Sequence, residues 1–119
     1  MSKMIHLRTV LQSELEKTHK NAYYEEAPED TTYPYMVYEL ESIQENFTLE
    51  INVYDKGTST QQVEVLADAI EAHFKRFIWR DDEQIFTTYK NTRNNVQEED
   101  KTIKRRRLLF DVYYHGKEV

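Results

Sequence analysis

The sequence predicts an α+β domain: one antiparallel sheet of about four strands with two helices packed on it, in the order α-β-β-α-β-β. Three observations lead there. Residues 35–40 and 47–54 alternate between apolar and polar, as strands with one buried face do. Residues 63–77 repeat apolar side chains at helical spacing behind a Ser/Thr-rich cap region. A chain of 119 residues is the size of a single core, so residues 1–119 are read as one domain.

The first helix is expected over residues 2 to about 18. Met4, Leu7, Val10, Leu11 and Leu15 form one stripe, with Lys3, Gln12, Glu16 and Lys17 on much of the other face. Lys17, His19 and Lys20 near its end complement the helix dipole. Residues 21–34 have no periodicity and read as an exposed acidic connection, with Pro28 and Pro34 favouring extended geometry before them.

In the first strand Met36, Tyr38 and Leu40 oppose Tyr35, Val37 and Glu39. In the second, Phe47, Leu49, Ile51 and Val53 oppose Thr48, Glu50, Asn52 and Tyr54. Residues 41–46, short and polar, suit a hairpin loop. Gly57 ends the pair, free to take positive φ. Ser59 with Gln62 fits a capping box, Thr58 and Thr60 being rival caps. Val63, Leu66, Ala67, Ile70, Phe74 and Phe77 then form the buried stripe, leaving Glu64, Asp68, Glu71 and Lys75 to solvent.

Trp79 to Asp82 read as a turn, and residues 84–90 as a third strand with Ile85, Thr87 and Tyr89 on one face. Residues 91–103 are polar and read as a long loop, functional or disordered. The last strand runs from Arg105 to Tyr114, and residues 115–119 read as a frayed tail.

Composition narrows the chemistry. The net charge of −6 opposes general affinity for nucleic acid, and the absence of cysteine excludes disulfides and thiolate chemistry. No signal peptide or membrane-spanning run is visible, which points to a protein made in a cytoplasm, without a membrane partner. His6, His19, His73 and His115 never pair at i, i+4, and two glycines cannot build a phosphate-cradling loop. No serine lies in a G-x-S-x-G elbow. The carboxylates at 25, 26, 29 and 30 read as a solvated acidic patch rather than a metal site. Asp30 followed by Glu50-Ile51-Asn52 has the layout of a magnesium-dependent nuclease, with asparagine in place of the expected lysine. No catalytic, metal or cofactor residues are therefore assigned. A nucleic-acid-binding module or such a nuclease is kept as the alternative.

The sharpest charge feature is Lys104-Arg105-Arg106-Arg107, following Glu98-Glu99-Asp100-Lys101. Arginines bind phosphate well. Pairing with the acids just before them, or with acids on a neighbouring strand or subunit, is the favoured reading, since the acidic run opposes phosphate in the same loop.

Pro34-Tyr35-x-Val37-Tyr38, the strand Leu49-Glu50-Ile51-Asn52-Val53-Tyr54-Asp55 and the helix Val63-x-x-Leu66-Ala67-Asp68-x-Ile70 carry a resemblance. Together with an N-terminal helix before a proline-containing loop, they resemble the small neck and tail proteins of long-tailed phages. These are the tail-completion, head-to-tail joining and tail-terminator group. Tyr54 stands where tryptophan is common in that group. The resemblance implies a non-enzymatic subunit of a ring, typically hexameric, in the virion between head connector and tail tube. Its partners are then further copies of itself and those two proteins, with DNA passing through the channel as a further contact. In that setting residues 91–103 reach a neighbouring ring or the channel. Glu98, Glu99, Asp100 and Lys101 with Lys104, Arg105, Arg106 and Arg107 are then candidate interface residues, complementary in charge across subunits.

Overall fold

A computed structural model describes residues 3–115. Two helices and six strands follow one another as α1 (Lys3–Thr18), β1 (Ala22–Tyr24), β2 (Tyr35–Ile43), β3 (Asn46–Lys56), α2 (Gln61–Phe74), β4 (Arg76–Arg80), β5 (Ile85–Val96) and β6 (Ile103–Tyr114). The α+β class is as the sequence predicts. The sheet, however, has six strands in the order β1-β2-β3-β6-β5-β4, and β1 runs parallel to β2 while every other pair is antiparallel.

Both helices cover one face of this sheet. Leu7, Leu11 and Leu15 of α1 and Val63, Leu66, Ala67, Ile70 and Phe74 of α2 share a core with Met36, Tyr38, Leu49, Ile51, Val53, Phe86, Leu108, Phe110 and Val112. On β3 the core side is Phe47, Leu49, Ile51 and Val53, as the alternation indicates, and the structure selects Met36, Tyr38 and Leu40 on β2 and Leu108, Phe110 and Val112 on β6. Tyr38 sits in this layer because its hydroxyl donates to Gln12 Oε1 of α1 at 2.5 Å.

Several expectations are corrected. The 41–46 loop shrinks to Gln44 and Glu45, with Gln44 at φ 57°, because β2 runs on to Ile43. Helix α2 starts after Thr60, whose side chain makes no cap bond. Ser59 Oγ instead accepts the Gln61 N–H at 3.1 Å. The helix ends at Phe74, so Phe77 belongs to β4, facing the core beside Trp79. Trp79 and Arg80 are strand rather than turn. The turn is made by Asp81, whose Oδ1 accepts the N–H groups of Glu83 and Gln84 at 2.8 and 2.9 Å. On β5 the core side chains are Phe86 and Thr88, the opposite face from Ile85, Thr87 and Tyr89.

The largest correction falls on residues 91–103. They are not a long loop: β5 continues through Val96 and β6 begins at Ile103, leaving only residues 97–102 to connect them. The ladder from Thr92↔Leu109 to Val96↔Arg105 is preceded by a bulge between Lys90 and Thr92. The result is a long hairpin on a molecule whose principal extents are 52 × 26 × 24 Å. Of the expected frayed tail, His115 donates its N–H to Ile85 O at 2.8 Å, and residues 116–119 lie outside the described residues. No helix among the described residues is long and apolar enough to cross a membrane.

Candidate assembly surface

The basic residues of β6 are divided by the strand's own alternation. Arg106 points to the helix side with Leu108 and Phe110, and is 8% exposed. Its Nε donates to Glu64 Oε1 of α2 at 2.5 Å. Arg105 and Arg107 point to the other side. Arg105 Nε donates to Asn52 Oδ1 at 2.9 Å, its Nη1 meets Glu98 at 3.2 Å, and its guanidinium lies over the Tyr54 ring. Arg107 Nη2 meets Glu50 Oε1 at 3.1 Å. Burial raises the Glu50 carboxyl, and hydrogen bonds from Asn52 and Arg107 outweigh it, so its pKa is lowered.

The remaining candidates occupy the tip of the hairpin. Asp100 Oδ1 accepts from the Thr102 hydroxyl at 2.6 Å and the Thr102 N–H at 2.9 Å, and these bonds lower its pKa. Lys104 Nζ donates to Lys101 O at 2.7 Å. Glu99 and the Lys101 side chain are exposed. The structure therefore brings Glu98 and Arg105 together and pairs Arg106 and Arg107 with other strands and helices. Much of the charge in 98–107 is satisfied within the chain.

One grip escapes sequence reasoning. Glu64, Asp68 and Glu71 face the outer half of β5, where Arg93 meets them at 3.3, 2.7 and 3.2 Å, and Lys90 meets Glu71 at 3.2 Å. Their helical spacing reads equally well as a solvated face. Only knowing that residues 91–96 are strand places an arginine above them.

Among the described residues no helix covers the second sheet face. At one end Tyr35 stacks on Tyr54 with ring centroids 5.0 Å apart, flanked by Tyr33 at 5.2 Å and Tyr23 at 6.5 Å. Burial, then the neighbouring Tyr33 and Tyr54, pushes the Tyr35 hydroxyl up to about 12. At the other end lie Tyr89 and Tyr113, edge to face at 5.5 Å, and Ile78. These three are 40%, 44% and 65% exposed, a large apolar exposure for neighbouring residues on one face.

Glu50 is held by Asn52 and Arg107, while Asp30 is exposed in the connection before β2. Among the described residues no group of three or more His, Asp or Glu side chains is placed to hold a metal ion. What this geometry offers chemically is adhesion: clustered aromatic rings, apolar patches and strand edges. Comparison with family models and with curated protein sequences finds no match to this chain.

Proposed function

We propose that the chain is a non-enzymatic structural subunit of a phage or prophage tail or neck, one of a ring of copies at the head-proximal end of the tail. The observation that carries this reading is the uncovered, tyrosine-rich sheet face with exposed Ile78, Tyr89 and Tyr113. Leaving such a face bare costs solubility unless a partner covers it. The residues that resemble the phage neck and tail group support the same reading. Apart from Pro34, just before β2, they fall on β2, β3 and α2, the strands and helix that share the core. The β5–β6 hairpin stands where the resemblance implies a long reaching loop, and near its tip the Arg105 guanidinium lies over Tyr54 on the uncovered face.

Electron microscopy of particles made without the protein tests the reading. Full heads beside free tails of normal length are expected for a joining role, and tails of uncontrolled length for a terminating role. Intact infectious particles overturn the proposal.

A further inference from the structure

We propose that two free strand edges, on opposite sides of the sheet, join one copy of this chain to the next: β4 of one copy against the distal half of β2 of another. This deepens the ring reading, on which it rests, by naming the surfaces that meet. Among the described residues strand β4 pairs with β5 alone. Strand β1 pairs with β2 at Met36–Tyr38, so among the described residues positions 39–43 pair with β3 alone. Exposed edges of this kind are templates for further pairing.

The two edges match in direction and level. The antiparallel steps β2–β3, β3–β6, β6–β5 and β5–β4 leave β2 and β4 running the same way. One row of the sheet reads Ser42↔Phe47↔Val112↔Thr88↔Phe77, and the next reads Glu41↔Thr48↔Asp111↔Tyr89↔Arg76. A neighbour added by continuing these rows therefore sets its β2 edge level with β4, as a parallel pair.

The backbone groups match as well. Met36 N–H donates to Asn21 O and Glu25 N–H to Tyr38 O, so even-numbered residues of β2 face outwards. Leu40 N–H reaches the Tyr24 hydroxyl at 3.4 Å, which leaves Leu40 O and both groups of Ser42 for a partner. On the other side, Lys90 N–H donates to Lys75 O and Asp81 N–H to Gln84 O, so odd-numbered residues of β4 bond inwards. Arg76, Ile78 and Arg80 then turn their backbone groups outwards. With the rows in line, Ser42 N–H meets Arg76 O and Ile78 N–H meets Ser42 O, the slanted pattern of a parallel ladder.

The side chains complete the fit. On the helix-free face Glu41 comes beside Arg76 and Ile43 beside Ile78. Both isoleucines are more than half exposed, and neither Glu41 nor Arg76 has an ion-pair partner among the described residues. Pairing β4 with β4 would set arginines against arginines, and β2 with β2 would set glutamates against glutamates, each unfavourable across strands. The contact is therefore heterologous, adding copies in one direction until the ring closes.

The chain has no cysteine, so thiols report the contact cleanly. Carrying Ile43→Cys and Ile78→Cys together and treated with a short thiol crosslinker, at high protein concentration and in assembled particles, the protein is expected to give a ladder beyond dimers. Each single variant alone stays uncrosslinked, and a mixture of the two stops at dimers. Glu41→Arg or Arg76→Glu alone is expected to abolish the ladder, and the two together to restore it. Self-crosslinking of Ile78→Cys, or no ladder in either setting, overturns the proposal. A ladder from a protein dispensable for particles defeats only the phage reading. Defective particles without the protein, in the absence of any ladder, defeat only the edge contact.

Discussion

Glu14 of α1 and His73 of α2 meet at 2.9 Å, tying the two helices together above the sheet. Glu14 is 4% exposed and also accepts from Lys17 at 2.7 Å, while His73 stacks on Phe77. Burial raises the Glu14 carboxyl, but the bonds from Lys17 and His73 outweigh it and the pKa is lowered. A folded pKa below the unfolded one means that the unfolded state binds more protons over the acid window. The stability is therefore present in full above the ordinary glutamate value and is lost as pH falls through the folded value. Glu14→Gln is expected to cost about 1–3 kcal/mol near neutrality. Urea midpoints should show that deficit shrinking as the solution is acidified; a constant deficit would contradict the assignment.

The alkaline limb belongs to tyrosine. Burial pushes Tyr38 up to about 12, and Tyr35 reaches about 12 by burial and its tyrosine neighbours. Here the folded pKa lies above the unfolded one. The contribution is whole below the unfolded value of about 10 and is lost as pH climbs towards about 12. Tyr38→Phe should lose about 0.5–1.5 kcal/mol at neutral pH, through the bond to Gln12, and flatten the alkaline fall in thermal stability. An unchanged alkaline slope would show that Tyr38 does not titrate late.

Arg106 on β6 and Glu64 on α2 form a pair in which only the arginine is enclosed. Glu64→Ala should cost about 1–3 kcal/mol by leaving that guanidinium short of an acceptor, whereas Arg106→Met should cost much less. A double-mutant cycle over both sites reads the coupling. Additive effects would mean that the pair contributes nothing.

Phe74 is fully buried, with its ring centroid 5.9 Å from Phe110 and 5.5 Å from Phe77. Phe74→Ala should lower unfolding free energy by about 3–5 kcal/mol. The denaturant midpoint should fall with the slope unchanged, and a loss below about 1 kcal/mol would mean that the cavity collapses.

Elements with one apolar side were legible. Met36, Tyr38, Leu49, Ile51, Leu66 and Ile70 all enter the core from the faces their spacing indicates, because burial imposes that spacing. Residues 91–96 were not legible, since this strand extends past β4 and has no apolar stripe to reveal it. Strand β1 is three residues long, too short for any period, and Glu25 at φ 70° follows it directly. Strand β4 was obscured by Phe77, which fits the helical repeat as an extension of α2 and the strand repeat as a partner of Trp79. The arginines of β6 fall on alternate faces of their strand, and their partners Glu50, Asn52 and Glu64 come from β3 and α2, at distances in sequence that no local pattern encodes.

Helix α2 passes into β4 across Lys75 alone, and the Thr88 hydroxyl donates to Phe74 O at 2.6 Å where the chain changes form. With no loop to absorb rotation, helix and edge strand behave as a single lever without a hinge. Any tilt of α2 over the sheet is delivered to the outermost strand as a change of pitch. The interior packing of Phe74 thus sets the angle at which this side of the molecule meets whatever lies beside it.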